Sequence, residues 1–365
     1  MIRKLLYTGI ILATSVWAQA ALAQVQPGEE GYSRIQGRDT GAQAGPSFQE
    51  PGSVLRDFRE DMRRFVMDIS RYARDFRPGF SVVIEDGLEL LEKKDSVEEG
   101  LTAPARTLMR SIDGVLVTGL LNGEDGINQA TPESIRQERL ARLKRATDEG
   151  LQVLLLDFAN DPAIIDSGYQ SSRDLNARYY AAPSPDTIVS KLAPHPKRPF
   201  DENPLNVLTL DAVQNYAFFT NSARMGRMDE YALKMQATNY DLLIVSPFHG
   251  RAPLSRRAVE TLKYKKIGAR RLVFARIDIG MAPSYAYFWQ PDWRPGSPNF
   301  VGMPSRNDPD LYTVLYWTPE WQQIIFGDTQ SFVYGLIAQG YDGVVLTGLD
   351  AFQFFETGGD PEEDQ

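Results

Sequence analysis

Eight short runs of β-branched, aliphatic and aromatic residues, separated by stretches with apolar residues at three- and four-residue spacing, constrain this fold more than any other feature. The runs are F-S-V-V-I-E (80–85), V-L-V-T (115–118), Q-V-L-L-L-D-F (152–158), Y-Y-A-A (179–182), Y-A-F-F-T (216–220), D-L-L-I-V-S (241–246), L-V-F-A-R-I-D (272–278) and G-V-V-L-T (343–347). Helical patterns cover Val54–Phe76, Pro132–Glu149, Met225–Ala237, Leu254–Ile267 and Pro319–Gln339. Alternation of this kind predicts βα units around a parallel sheet. Eight units in about 300 residues predict an α/β fold of the closed (β/α)8 TIM-barrel type. An open, doubly wound sheet is the alternative, because periodicity does not report closure.

The flanks read differently. Residues 1–23 carry Arg3 and Lys4, then an apolar run, then small residues at Ala21 and Ala23, the pattern of a secretory signal peptide. The run is short of the roughly 20 residues a bilayer span needs, and no later segment qualifies, so no transmembrane segment is expected after cleavage. Residues 24–53 mix Gln, Gly, Pro, Ser and Glu without apolar periodicity and read as a flexible linker, residues 54–356 as the barrel, and 357–365 as an acidic, solvated tail. The expected location is the periplasm or the exterior, and a chain without cysteine fits export. A net charge of -9 disfavours nucleic acid and anionic lipid as partners.

In a barrel, chemistry belongs at the carboxyl ends of the strands. Those positions offer Glu85 and Asp86, Thr118, Asp157, Asn221, Ser246 with His249 behind it, Asp278 followed by Met281, and Thr347 with Asp350. With only His195 and His249 and no cysteine, no metal site is expected, and no cofactor motif is present: there is no P-loop, no G-x-S-x-G and no G-x-G-x-x-G after a strand. Ser246 three residues from His249 is more often an incidental pair than a nucleophile and base. Once the leader is removed, all remaining tryptophans, Trp289, Trp293, Trp317 and Trp321, fall between 289 and 321, with Tyr285, Tyr287, Phe288, Phe300, Tyr312 and Tyr316 beside them. Flat aromatic faces suit sugar rings or cations, so Tyr285, Trp289, Trp293 and Trp317 are candidate substrate-binding residues. A satellite core beneath a long loop is the competing reading.

One octapeptide recurs, D-G-V-L-V-T-G-L at Asp113–Leu120 and D-G-V-V-L-T-G-L at Asp342–Leu349, each opening a predicted strand with an Asp-Gly turn and closing it with Thr-Gly. Together with Y-D-L-L-I-V-S-P (240–247), R-R-L-V-F-A-R-I-D-I-G-M-A (270–282), Y-W-T-P-E-W-Q-Q-I-I (316–325) and Y-D-G-V-V-L-T-G-L-D-A-F-Q-F-F (341–355), the chain resembles the secreted endo-α-1,4-polygalactosaminidase family of (β/α)8 glycoside hydrolases. F-V-M-D-I-S-R-Y-A-R (65–74), P-G-F-S-V-V-I-E-D-G (78–87), I-D-G-V-L-V-T-G-L (112–120) and V-L-L-L-D-F-A (153–159) are similar to that family's second half. The resemblance covers most of residues 60–356, with the two halves exchanged, which implies a circularly permuted relative joined through a linker such as 183–214.

The departures from that pattern carry the functional expectation. The family's acidic positions fall on Ser246, Met281 and Thr347, and a further Glu-Asp falls on Thr118 and Gly119. Glycoside hydrolysis uses two carboxyl groups, one to protonate the leaving oxygen and one as nucleophile or base, and Ser and Met do neither. Asp157, Asp278 and Asp350 are the retained acids that a relocated mechanism would draw on. The resemblance and the departures together lead us to expect a barrel that binds an amino-sugar-containing polysaccharide without cleaving it by the family mechanism. An active glycosidase with relocated carboxylates, or an assembly protein of an envelope or polysaccharide-export complex with a protein partner, are the alternatives.

Overall fold

The computed structural model describes residues 56–94, 102–306 and 308–358. The leader (1–23), the linker (24–53) and the tail beyond Gly358 lie outside them. Eight parallel strands form one sheet: β1 (Ser81–Glu85), β2 (Gly114–Thr118), β3 (Gln152–Phe158), β4 (Arg178–Ala182), β5 (Tyr216–Phe219), β6 (Leu242–Val245), β7 (Leu272–Asp278) and β8 (Gly343–Thr347). Their order is β4-β3-β2-β1-β8-β7-β6-β5, so chain order is spatial order and β1 pairs with β8, Ser81 opposite Gly343. The two edge strands face each other across a seam filled by Tyr180 and Tyr216, whose ring centroids are 5.8 Å apart. The result is a nearly closed eight-stranded parallel barrel sheet, which fits a TIM-like fold. Each of the eight strands lies on one of the eight sequence runs.

Helices cover the outside. They are α1 (Phe58–Phe76), α2 (Arg106–Ser111), α3 (Glu133–Asp148), α4 (Pro162–Asp174), α5 (Met228–Gln236), α6 (Arg256–Leu262), α7 (Pro319–Ile325), α8 (Phe332–Gln339) and α9 (Ala351–Glu356). Helix α1 shows the logic: Asp57 caps it by accepting from Glu60 N at 2.9 Å, and Met62, Phe65, Val66, Ile69 and Ala73 bury one stripe. It packs among α2, α8 and α9, the last of which follows β8. The pattern over Pro319–Gln339 is two helices, a correction to the single helix expected. Gly327 at φ 127 and an Asp328 side chain that accepts from Gln330 N at 2.7 Å turn the chain between them. Among the described residues no helix is long and apolar enough to cross a membrane.

The connection from β4 to β5 carries no α-helix, only the 3-10 turn Leu210–Ala212. It is nonetheless a packed strap. Phe200 stacks on Tyr169 of α4 at 4.4 Å beneath the Arg173 guanidinium, and Asn203 Nδ2 donates to Asp241 Oδ2 at 2.9 Å at the base of the barrel.

Candidate functional site at the barrel mouth

Strand β7 ends A-R-I-D, and period-2 alternation turns Arg276 and Asp278 to the same, inward face. Arg276 reaches across β8 to Glu85 at the end of β1, its Nε and Nη2 donating to Oε2 and Oε1 at 2.6 and 2.7 Å. The same Nη2 lies 3.3 Å from the hydroxyls of Thr347 and of Thr187 on the strap, and the guanidinium sits 5.8 Å from the Phe218 ring centroid. Four strands and the strap therefore converge on one cation. Glu85 is 4% exposed, so the carboxylate of this bidentate pair is held away from water while Arg276 keeps a partly exposed edge.

Two further carboxyls flank it, held by neutral donors. Asp278 is half-buried, and its Oδ1 accepts the backbone N–H groups of Gly280 and Met281 at 2.9 Å each. Burial pushes its pKa up to about 7, against the pull of Arg276 and those N–H groups, and the charge of Asp350 adds to the rise. Gly348, at φ 76, leaves the space this carboxyl needs: a Cβ there would lie 2.2 Å from Asp278 Oδ1. The glycine that closes the second copy of the repeat is thus a requirement of the mouth. Asp86, at φ 54, accepts from Thr118 N at 2.9 Å and Thr118 Oγ1 at 2.7 Å, and burial, then the charge of Glu85, raises it to about 7.

The other candidate acids separate. Asp157 faces the helix layer: its Oδ2 accepts from Tyr179 OH and Asn122 Nδ2 and its Oδ1 from Leu121 N, all at 3.2 Å, and Tyr179 packs edge-on against Tyr169 of α4. It is fully buried, and burial raises it to about 6. Asp350 is exposed on the rim at the start of α9. Ser246 Oγ accepts from Phe248 N at 3.2 Å, while His249 is bound elsewhere, Nδ1 to Ser222 Oγ at 2.9 Å and Nε2 to Gly226 O at 2.8 Å. His195 pairs with Asp166 of α4 at 2.7 Å, on the flank. Met281 opens a short strand, Met281–Pro283, that pairs with Leu311–Val314. Among the described residues no three His, Cys, Asp or Glu side chains converge as a metal site requires.

The aromatic segment after β7 divides. Trp289 packs on Trp293 (5.2 Å) and Tyr312 (4.7 Å), Trp293 on Phe300 (5.2 Å), and Phe300 on the fully buried Trp321, whose Nε1 donates to Ile279 O at 2.9 Å. Trp289 and Trp293 are half-buried in this cluster. Trp317 stands apart from it, against Phe58 (5.0 Å) and Phe355 (4.7 Å). Tyr285 and Tyr287 are 54% and 52% exposed, and Tyr285 shares the electrostatic surroundings of Asp278, Asp308 and Asp310. A separate groove of about 330 Å³, lined by Leu140, Leu143, Val153 and Leu175, lies on the flank between α3 and α4.

The Glu85–Arg276 pair is the element that strand-end reading missed. Its signal was the R-x-D at the end of β7, which places a cation and an acid on one face. What it lacked was a partner, because the two residues are 191 positions apart.

No family model matches the chain. It is 35% identical over 104 residues to an uncharacterized protein of Methanocaldococcus jannaschii, covering 28% of each chain. It is 26% identical over 172 residues to an uncharacterized protein of Deinococcus radiodurans (47% of this chain, 49% of that one). A third, an uncharacterized protein of Thermotoga maritima, is 32% identical over 81 residues (22% and 24%). The chain thus spans between about a quarter and a half of the length of these curated relatives.

Proposed function

We propose that this is an exported, polygalactosaminidase-like (β/α)8 barrel that binds an amino-sugar-containing polysaccharide and does not cleave it by that family's mechanism. The observation that carries this reading is the state of the carboxyls at the mouth. Glu85 is clamped by Arg276, Asp86 by Thr118 and Asp278 by two backbone N–H groups, while the family's acidic positions are Ser246, Met281 and Thr347. The bidentate guanidinium takes one lone pair on each Glu85 oxygen and stabilises its charge, which weakens it as a nucleophile or base. Tyr285 and Tyr287, each about half exposed in the segment that follows β7, supply aromatic faces suited to a sugar ring.

Circular permutation is part of the proposal. The last turn of α9 and the first turn of α1 touch: Phe58 and Phe355 stack at 5.6 Å, and Arg59 and Glu356 form a bidentate pair at 2.8 and 2.9 Å. A first and a last helix that meet in this way are what a closed barrel cut between them would leave.

The test is incubation of the purified protein with galactosamine- and glucosamine-containing polysaccharides, scoring retained binding and new reducing ends in the same tubes. Binding without new ends is expected. A second reading, cleavage by relocated acids, draws on an Asp278 raised to about 7 near a Glu85 held by a cation, a division of roles that glycosidases use. New reducing ends that vanish in Asp278→Asn would replace the first reading with the second. Neither signal would move the weight to a protein partner in an envelope complex.

A further inference from the structure

The strap begins by crossing the mouth, and this crossing buries little apolar surface. Thr187 places its hydroxyl 3.3 Å from Arg276 Nη2, the long end of the hydrogen-bond range. Its carbonyl accepts from Thr220 Oγ1 at 2.5 Å, just past the end of β5. Two residues on, Val189 N donates to Thr220 Oγ1 at 2.9 Å, and Val189 O accepts from Thr220 N and Asn221 N at 3.0 and 2.9 Å. Val189 is fully buried, but its neighbour Ile188 is 64% exposed and Pro185 and Asp186 face solvent. One buried side chain, the hydrogen bonds at Thr187 and Val189 and a local turn, Ile188 N donating to Asp186 Oδ1 at 2.7 Å, thus hold Ser184–Val189, whereas the packed anchors of the strap, Phe200 on Tyr169 and Asn203 on the buried Asp241, come later and lower. Segments with few buried contacts sit at the low end of local stability.

We propose that Ser184–Val189 is a gate over the barrel mouth, in which the Thr187 hydroxyl occupies the place at Arg276 that a ligand hydroxyl takes when the gate withdraws. Opening leaves the Glu85–Arg276 pair intact and frees the outer edge of Nη2 between Thr347 and the Phe218 face. The identity of what enters rests on the saccharide reading; the movement does not.

Amide hydrogen exchange on the full chain, with a chitosan oligosaccharide as the probe, tests both. The amides of Val189, Thr220 and Asn221 should exchange at least about tenfold faster than those of Val344 and Val345 in β8. The probe should speed the three gate amides further, where binding to a closed surface would slow them. Thr187→Val should bind the probe about threefold to tenfold more tightly, the worth of one ordinary hydrogen bond. Gate amides as protected as those of β8, or slowed by the probe, overturn the proposal. If neither protein binds the probe, the saccharide reading fails and the gate stands or falls on the exchange rates alone.

Discussion

At the base of the barrel Asp113, Asp241 and Asp342 each precede an even-numbered strand, and each combines a backbone N–H with a cation. Asp113 Oδ2 accepts from Val82 N (2.7 Å) and Arg74 (2.8 Å). Asp241 accepts from Gln214 N (2.9 Å) and Lys265 Nζ (2.5 Å), and Asp342 from Val273 N (3.1 Å), Lys263 Nζ (2.9 Å) and Arg77 (2.7 Å). At the mouth, by contrast, the hydrogen-bond donors to Asp86 and Asp278 are all neutral, and Arg276 is committed to Glu85. The same side chain is a staple at one end and a strained reserve at the other. At the base each of these three carboxylates ties the start of its strand to the neighbouring segment, whereas at the mouth burial without a dedicated cation leaves two acids raised to about 7.

The most damaging way to probe that contrast is at the base. Asp241 and Lys265 are fully buried, so Asp241→Ala leaves an ammonium in the interior with only neutral acceptors, the carbonyls of Asn203 and Leu205 and Asn203 Oδ1. A loss of about 3–5 kcal/mol is expected in urea unfolding at pH 7. A loss below about 1 kcal/mol would mean that the pair is no staple.

The mouth should respond to pH instead. Asp278 binds its proton more tightly folded than unfolded, so between about pH 4 and 7 the native state holds more protons and stability falls as pH rises. Asp278→Asn removes that fall and keeps an oxygen for Gly280 N and Met281 N. Relative to wild type, the variant should gain on the order of 1–2 kcal/mol between pH 5 and 8, a figure reduced for the carboxyl's partial exposure. Parallel stability curves for the two proteins across that range would show that Asp278 is an ordinary surface acid.

The barrel's strands were legible because each is an apolar run of four to seven residues bounded by turn chemistry, and even Y-Y-A-A, the weakest, forms β4. Helix α4 was missed although Asp161 caps it and Pro162 opens it, because Ser and Gly interrupt its apolar stripe. The site was less legible. Strand ends nominated Asp157 and Asp278 on equal terms, and one register step decides that Asp157, beside Tyr179, faces the helices while Asp278 faces the mouth. Likewise the tryptophan cluster in sequence is two packing groups in space, since Trp317 follows the tight loop into α7 and meets α1 and α9. Local pattern reports an element; the partner of a side chain depends on closure of the sheet.

The gentlest probe rejoins the chain ends and reopens the chain in the strap. Linking Gly358 to Arg56 and cutting after the exposed Lys197 preserves all the strand pairings, the Phe58–Phe355 stack and the Arg59–Glu356 pair. What it severs is the continuity between the two ends compared above. The part of the strap that crosses the mouth becomes a chain terminus, while Asn203 stays on Asp241. Because termini at an exposed loop tip cost little, the unfolding free energy should drop by no more than about 1 kcal/mol. Failure to fold, or a loss several times larger, would count against reading this chain as a barrel whose ends were moved. Amide exchange sharpens the result: Val189 should lose protection in the rejoined chain while Gln214, on the staple, keeps it, because a crossing that buries little apolar surface depends on both of its anchors and a buried ion pair needs only itself.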